Sequence, residues 1–259
     1  MATRVGSRAE RLGAVRALRT VKGRREQQRF AFEGATLLAE AAAAAFPLAE
    51  IYVTAQAYDS TPLLGELEAA GTPTFIAADA DAASISDLTT PSGIVAVAPM
   101  RLRTVDELFC AGSPILVLAD LNDPANAGTL LRSADAFGAA GVVFGRLGVD
   151  PYHPKVVRGS MGAVFRLTLS VANPAEAGRA AAAAGVRILG LAAGGVPLTD
   201  ERWQGSVGLV VGHERRGLGP WSDLCERVLA IPMAGPAESL SAAVAGSIAL
   251  YQASLIRPS

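Results

Sequence analysis

The chain has few of the residues that bind metals or form disulfides. Its 259 residues include two cysteines, Cys110 and Cys225, and two histidines, His153 and His213, without the spacing of metal ligands. This composition argues against a zinc site and against a structural disulfide. We therefore expect no metal in the functional site.

Long apolar segments are also missing, although 51% of the residues are hydrophobic. Alanine tracts at 41–45 and 180–184 inflate that fraction, and such tracts are typical of helix faces. No apolar run reaches the roughly 18 residues that a membrane span needs. The first residues lack the apolar core of a signal peptide, so we expect a cytoplasmic protein.

A Rossmann dinucleotide fingerprint is absent as well. That fingerprint places G-x-G-x-x-G directly after a strand, with an acidic residue about 20 positions later. The glycine turn at 145–148 (Gly-Arg-Leu-Gly) does not fit this pattern. The sequence therefore argues against a nicotinamide cofactor.

Charge is balanced overall but unevenly distributed. The formal net charge is −1, yet residues 1–30 hold nine arginines and lysines against two glutamates. Clustered cations gain affinity for nucleic acids by releasing counterions from the phosphate backbone. The basic segment therefore has two interpretations, a phosphate-contacting surface or a solvated, partly disordered tail.

The first hundred residues alternate helical and extended patterns. Leu12, Val15, Leu18 and Val21 recur at three-residue spacing, as on one face of a helix. Strands are predicted at 29–33, 51–53, 74–76 and 93–97, and helices at 34–45 and 62–70. This alternation predicts a small α/β domain over residues 1–105 with a largely parallel sheet.

A second strand and helix rhythm follows a predicted linker at 101–113. Strands are predicted at 115–118, 141–144, 166–170, 187–191, 208–211 and 228–231. Helices are predicted at 127–137 and 174–184, each ended by a glycine, and a last helix starts near Ser239 or Ser241. These elements predict an α/β domain over residues 112–259.

Three separated motifs of this second domain join an apolar strand to a turn. They are Asn122–Arg132 (NDPANAGTLLR), Val210–Leu218 (VVGHERRGL) and Ile231–Leu240 (IPMAGPAESL). Their order and strand context resemble the SpoU/TrmH branch of the SPOUT RNA methyltransferases. In the first domain, Phe32-Glu33-Gly34 matches the aromatic-Glu-Gly strand end of the ribosomal-protein-L30e-like domain that precedes many SpoU catalytic domains.

The resemblance implies a fold and an activity. The fold would be an L30e-like substrate-binding domain followed by a SPOUT α/β domain with a mainly parallel sheet and a C-terminal trefoil knot. The activity would be S-adenosylmethionine-dependent 2′-O-ribose methylation of RNA by a homodimer. The favoured substrate is 23S ribosomal RNA, including the type of methylation that gives antibiotic resistance. The alternatives are a transfer RNA methyltransferase and a non-catalytic RNA-binding dimer.

The resemblance also implies roles for individual residues. The expected catalytic residues are Asn126, Arg132, Glu214, Ser239 and Ser241, and the expected donor-binding residues are Leu191, Ala192, Gly212, Ile231, Met233, Ser239 and Leu240. Arg132 would engage the phosphate and the ribose that is methylated. The identity of the proton acceptor stays open, because an arginine pKa above about 12 makes it a demanding general base.

Plain structural roles compete with these assignments. Asn126 would suit the N-cap of the helix it precedes, and Ser239 would suit the cap of the last helix. Arg132 could be an exposed helix cation. Glu214 could pair with Arg132 and fix its orientation, or it could be a solvated loop carboxylate.

The candidate RNA-contacting residues are Arg16, Arg19, Lys22, Arg24, Arg25 and Arg158. Arg158 lies in Lys155–Ala163, a segment that resembles a basic family segment between the second and third strands of the catalytic domain. There it would reach RNA or the donor of a neighbouring subunit, or be a surface helix cation.

One position departs from the family pattern. After Ser239-Leu240 the family has asparagine, whereas this chain has Ser241. A serine still caps a helix, so we expect the fold to tolerate it. It lacks the amide, which donates two hydrogen bonds and accepts others.

Overall fold

The computed structural model describes residues 8–213, 215–236 and 239–255. They form two compact units. The first comprises the chain up to Met100 together with Tyr152–Phe165, and the second comprises Arg101–Pro151 and the chain from Arg166 onward. Each unit is described by itself below.

The first hundred residues contain six helices and four strands in the described part. The helices are α1 (Arg8–Ala17), α2 (Val21–Gln27), α3 (Ala35–Ala43), α4 (Ala55–Asp59), α5 (Leu63–Ala69) and α6 (Asp79–Ile85). The strands are β1 (Arg29–Glu33), β2 (Glu50–Val53), β3 (Thr74–Ile76) and β4 (Ile94–Pro99). All four predicted strands are present, whereas α4 and α6 were not predicted.

The rest of the chain contains six further helices, six further strands and two 3-10 helices in its described part. The helices are α7 (Val105–Cys110), α8 (Pro124–Ala136), α9 (Pro154–Gly159), α10 (Ala163–Arg166), α11 (Pro174–Ala183) and α12 (Ala242–Ser254). The strands are β5 (Ile115–Leu118), β6 (Gly141–Gly145), β7 (Thr168–Ala172), β8 (Arg187–Pro197), β9 (Val207–Val211) and β10 (Arg227–Ala230). The 3-10 helices are Leu198–Asp200 and Gly219–Leu224.

The sheet of the first unit is mixed. Its order is β1-β4-β2-β3, with β4 antiparallel to both of its neighbours and only β2 and β3 parallel. The prediction of a largely parallel sheet was therefore wrong for this unit. The apolar pattern marks strands but not their direction, and β4 enters between β1 and β2 in the opposite sense.

The predicted apolar face of the first helix is confirmed in part. Leu12, Val15 and Leu18 are buried against the sheet in one core cluster. Val21, in contrast, is partly exposed and starts α2. The helix breaks between them because Thr20 caps α2, its Oγ1 accepting a hydrogen bond from the Gly23 N–H.

A distant segment completes the core of the first unit. The ring of Tyr152 lies 4.4 Å from that of Phe30, and the ring of Phe165 lies 4.9 Å from that of Phe32. Both belong to the segment 152–165, which follows β6 in the chain. Aromatic pairs at these separations stabilise a core beyond simple area burial. The segment is therefore part of the first unit.

The sheet of the second unit is wholly parallel, with the strand order β10-β8-β9-β5-β6-β7. The mainly parallel sheet predicted for the second domain is thus confirmed. All residues of β5, β6 and β9 are buried, as expected for strands covered by helices on both faces. The expected trefoil knot stays a prediction.

Helix α7 lies inside the region that was predicted as a linker. Thr104 and Glu107 form a capping box, in which Thr104 Oγ1 accepts from the Glu107 N–H and the Glu107 carboxylate accepts from the Thr104 N–H. Those bonds from Thr104 hold the pKa of Glu107 below its usual range. The Thr-x-x-Glu signal was present in the sequence but was overlooked.

No helix in the described part of the chain is both long and apolar enough to cross a membrane.

Candidate active site

Parallel pairing brings the ends of the first two motif strands, β5 and β9, and of β8 to one edge of the sheet. Leu118 of β5 is paired with Val211 of β9, and Val211 is paired with Leu191 of β8. The turn after β9 and the loop before α8 therefore leave the sheet side by side. Ligands of open α/β sheets bind in the crevice at the carboxyl ends of the strands.

Helix α8 follows β5 and presents Asn126 and Arg132. Its N-cap is Asp123, whose Oδ1 accepts a hydrogen bond from the Ala125 N–H at 2.8 Å, and Pro124 takes the first helical position. The helix thus starts before Asn126, so the interpretation of Asn126 as its N-cap was wrong. Asn126 is half-buried within the first turn, and Arg132 is exposed.

The turn after β9 closes on itself through backbone hydrogen bonds. The N–H of His213 donates to the carbonyl of Gly217, and the N–H of Gly217 donates to the carbonyl of His213, each at 2.9 Å. A Cβ atom on Gly212 would collide with the Gly217 carbonyl, so this position requires glycine. Glu214 lies outside the described residues.

His213 joins this turn to the loop before α8. Its Nδ1 accepts from the Arg215 N–H at 3.1 Å, and its Nε2 lies 3.2 Å from the side-chain amide of Asn122. Sequence reasoning missed this contact, since no local pattern pairs residues 91 positions apart.

The pairing of β8 with β10 is interrupted where donor-binding residues were predicted. Val228 pairs with Gly190, but the next residue of β10, Leu229, pairs with Val196. The intervening residues of β8, 191–195, therefore have no partner in β10. They include the candidates Leu191, which is buried, and Ala192, which is half-buried.

The segment between β10 and α12 offers apolar side chains and main chain that belongs to no helix or strand. Ile231 is half-buried, whereas Met233 and Leu240 are 41% and 37% exposed. Within 231–240, no described residue forms a main-chain hydrogen bond with another described residue. Such a segment suits an adenosine group, which needs apolar contact and main-chain hydrogen bonds. These residues therefore fit the implied methyl donor.

The two serines of this region differ in role. Ser241 caps α12, its Oγ accepting from the Val244 N–H at 3.3 Å, as expected for a serine there. Ser239 lies two positions before the N-cap and is exposed, so the expectation that it caps the helix was wrong.

The strongest ion-pair cluster lies away from this edge. Arg187, at the start of β8, donates to Glu226 and to the buried Glu201, both at 2.9 Å. These bonds raise the pKa of Arg187 and lower that of Glu226. Nearby, burial raises the pKa of the Cys225 thiol to about 11, so this cysteine stays protonated and is not a nucleophile near neutral pH.

The candidate RNA-contacting cations all lie in the first unit. Arg19, Lys22 and Arg25 are exposed, and Arg16 is exposed with a hydrogen bond to Ser84 Oγ at 3.3 Å. Arg24 is only 1% exposed.

Two of these cations have structural contacts. The Arg24 guanidinium donates to the carbonyls of Leu18 and Arg19, which follow α1, so it has no surface with which to contact RNA. The Arg158 guanidinium lies 3.8 Å from the Asp87 carboxylate and is about half exposed.

No group of three or more histidine, cysteine, aspartate or glutamate residues in the described part of the chain could hold a metal ion.

Two family models match the chain. The model described as the SpoU rRNA Methylase family matches residues 113–251, and the model described as the MRM3-like substrate binding domain matches residues 10–96.

Two curated relatives carry names of ribosomal RNA methyltransferases. The 23S rRNA (guanosine(2553)-2′-O)-methyltransferase RlmP of Bacillus subtilis is 31% identical, and the match covers 90% of this chain and 92% of the relative. The 23S rRNA (uridine(2479)-2′-O)-methyltransferase of Streptomyces viridochromogenes is 36% identical, and the match covers 63% of this chain and 60% of the relative.

Solved structures match over nearly the whole chain. The SpoU methyltransferase AviRb of Streptomyces viridochromogenes, in complex with the cofactor AdoMet, has a TM-score of 0.84 at 28% identity, covering 95% of this chain and 97% of that one. The AdoMet-bound rRNA methyltransferase of Sinorhizobium meliloti has a TM-score of 0.84 at 26% identity, covering 97% of both. By the matching model and by these relatives, the chain belongs to the SpoU rRNA methylase family.

Proposed function

We propose that the protein transfers a methyl group from S-adenosylmethionine to a ribose 2′-hydroxyl of 23S ribosomal RNA. The observation that carries this proposal is the meeting of the first two motif strands at the carboxyl edge of one parallel sheet in a SpoU family member. The named relatives that act on 23S rRNA support the substrate. The cytoplasm, where ribosomal RNA is modified in bacteria, is the proposed location.

The proposed roles of the two domains follow the two family models. Residues 112–259 would carry the methyl transfer, and residues 1–105 would hold the RNA. The segment 152–165 is an addition to this division, because it packs within the first unit. Its Arg158 is therefore grouped with the RNA-holding cations.

The donor would lie against the main chain and apolar side chains at the ends of β8, β9 and β10. The proposed contacts are Leu191, Ala192, Gly212, Ile231, Met233, Ser239 and Leu240. When bound, the donor supplies an electrophilic methyl group on a positively charged sulfur. Exposed Met233 and Leu240 would cover its adenosine part, and the main chain of the described residues between β10 and α12 would hold its polar groups.

Arg132 would act on the RNA. In the transfer, the 2′-oxygen forms a bond to the methyl carbon, the carbon–sulfur bond breaks, and the hydroxyl proton leaves to an acceptor. A ribose hydroxyl is a weak nucleophile at neutral pH, so alignment and stabilisation of its developing negative charge lower the barrier. The exposed guanidinium on α8 supplies positive charge for both. Asn126, Glu214, Ser239 and Ser241 would orient this group and the ribose.

The protein would work as a homodimer through α12. Its buried side packs on α8 and β9, whereas Val244, Ile248, Tyr251 and Leu255 are 46%, 37%, 51% and 56% exposed. Their spacing of four, three and four residues places them in one stripe along the helix end. A continuous apolar stripe is favourable at a subunit interface and unfavourable in water.

The test is the variant Arg132→Ala. We expect methyl transfer to ribosomal RNA to fall by at least about 100-fold, as when a charge-stabilising donor is removed. Donor affinity should be nearly unchanged, because Arg132 is assigned to the RNA. Radiolabelled methyl transfer and calorimetry with S-adenosylmethionine measure the two quantities separately.

The matched control is Arg179→Ala, which removes an exposed cation from α11, a helix without proposed site residues. Its activity should equal that of the natural protein. An Arg132→Ala protein with full activity would falsify the assignment. Activity on transfer RNA alone would replace the substrate, and donor binding without methylation of any RNA would favour a non-catalytic RNA-binding dimer.

A further inference from the structure

Asp120 connects three loops at the carboxyl edge of the second unit. It lies two residues after the end of β5 and is half-buried, with a left-handed backbone conformation (φ 51°). Its Oδ1 accepts a hydrogen bond from the Leu147 N–H, and its Oδ2 accepts one from the Trp221 indole N–H, both at 3.0 Å. Both carboxylate oxygens are thus used, each by a different part of the chain.

Close packing fixes this aspartate from the side of β6. A Cβ atom on Gly145 would collide with the Asp120 main-chain nitrogen and Oδ1, and one on Gly148 would lie 2.7 Å from the Leu121 carbonyl oxygen. The Val149 N–H also donates to that carbonyl at 2.8 Å. The turn after β6 therefore holds the loop 119–123 against rotation.

The other oxygen reaches the segment that follows the donor turn. Trp221 is only 1% exposed and lies three residues beyond Leu218, where the motif after β9 ends. Its indole is therefore an anchor for the carboxyl end of that turn. The contact of His213 with Asn122 joins the beginning of the same turn to the same loop.

We propose that Asp120 is a positioning residue that couples the donor turn 212–218 to helix α8. The loop 119–123 connects β5 to α8, so its orientation sets the start of the helix that carries Asn126 and Arg132. Asp120 and Asn122 tie this loop to both ends of the donor turn. Binding of the donor thus orients Arg132, a role that rests on the proposed function.

A purely structural aspartate would give a different result from a coupling one. Losing a structural tie lowers stability and, with it, all activities in parallel. Losing the coupling leaves the donor bound, but its methyl group and the ribose hydroxyl that Arg132 would hold are misaligned. A displacement of about 1 Å at an aligned site costs on the order of 100-fold in rate.

The first variant is Asp120→Asn. Asparagine tolerates the left-handed conformation, so the backbone is kept. Its amide has one acceptor oxygen, so an NH2 group must face either the Leu147 N–H or the Trp221 indole N–H, donor against donor. We expect kcat for methylation of total ribosomal RNA to fall about 10- to 100-fold, while the Kd for S-adenosylmethionine stays nearly constant.

Two further variants complete the set. Trp221→Phe removes the indole donor alone. The double variant Asp120→Asn/Trp221→Phe should be no less active than the less active of the two single variants, because both changes break the same contact. Asp135→Asn is the matched control: it removes the same charge from the last turn of α8, where Asp135 pairs with Arg166. Its kcat should be unchanged.

Fluorescence gives a readout that does not require turnover. The chain has two tryptophans, so Trp203→Phe leaves Trp221 as the reporter. Addition of S-adenosylmethionine should shift the Trp221 emission of this variant, and Asp120→Asn in the same background should abolish the shift.

These outcomes separate the coupling from the reaction. If the protein methylates no RNA, the proposed function fails, but an emission shift that depends on Asp120 still supports the coupling. No shift on donor addition, an unchanged kcat in Asp120→Asn, or an equal loss in Asp135→Asn would overturn it.

Discussion

At the scale of single residues, Ser241 is the position where this chain leaves its family's pattern. Its hydroxyl caps α12 by accepting from the Val244 N–H, so the helix start keeps its main-chain partner. Asparagine and serine are comparable N-caps, and the exchange therefore changes the chemistry of the side chain more than the fold. The serine does not replace an amide that both donates and accepts.

Ser241→Asn is accordingly expected to bind the donor as well as the natural protein and to methylate RNA at least as fast. Parallel calorimetry and methyl-transfer assays measure both. Ser241→Ala is the control for the cap, and removing the hydroxyl should cost about 1 kcal/mol of stability, seen as a lower Tm. A slower Ser241→Asn enzyme would contradict the expectation. If only that variant is active, the natural chain is better described as a non-catalytic binder.

The candidate residues were accessible from sequence to different degrees. Ser241, Asn126 and Arg132 could be proposed from sequence because they lie in motifs that a linear pattern preserves. Asp120 and the contact of Asn122 with His213 were not, since their partners lie 27 to 101 positions away. Arg24 was wrongly grouped with exposed cations, because charge in a sequence does not reveal that a guanidinium is buried and donates to main-chain carbonyls between α1 and α2.

At the scale of elements, strand positions were predicted better than strand directions. An alternating pattern gave β1 and a buried apolar run gave β5, each with its observed ends, because side-chain burial selects those residues directly. The antiparallel course of β4 depends on how the chain returns after α6, which no local pattern encodes. The packing of 152–165 within the first unit could not be predicted either, because this segment is separated in sequence from the rest of that unit.

Exposed cations of the first unit lie on α1, on α2 and in the turn between them. These cations allow a test of RNA binding. The double variant Arg19→Ala/Arg25→Ala removes two exposed guanidinium groups that have no ion pair among the described residues. We expect weaker binding to ribosomal RNA and a salt dependence shallower by roughly 0.7–0.9 in the log–log slope for each phosphate that the variant no longer neutralises. Filter binding over a salt series measures this.

The matched control for that test is again Arg179→Ala, an exposed cation of the second unit. It should leave the slope unchanged. Equal slopes for the double variant and the natural protein would show that these two cations do not contact phosphates, and the basic segment would then be a solvated surface.

At the scale of the whole molecule, one face of α12 packs inside the second unit and the other face is exposed. The inner face is packed tightly enough that a Cβ atom on Gly246 would lie 2.9 Å from Val211 Cγ2 and closer still to Leu130. This face fixes the helix on α8 and β9, next to the candidate site. The outer stripe of Val244, Ile248, Tyr251 and Leu255 stays exposed, although the Tyr251 ring lies 5.6 Å from that of Phe137 at the end of α8. A second copy of the chain is the proposed cover.

Ile248→Glu tests this assembly, because it places a charge in the middle of the stripe without touching the inner face. Burying an unpaired carboxylate at an interface is costly, so we expect the variant to sediment as a monomer at concentrations where the natural protein sediments as a dimer. Leu147→Glu is the control, since it puts the same charge on an apolar residue that is 80% exposed outside α12. That control should remain dimeric. A dimeric Ile248→Glu protein, or a monomeric natural one, would show that the stripe is not the subunit interface.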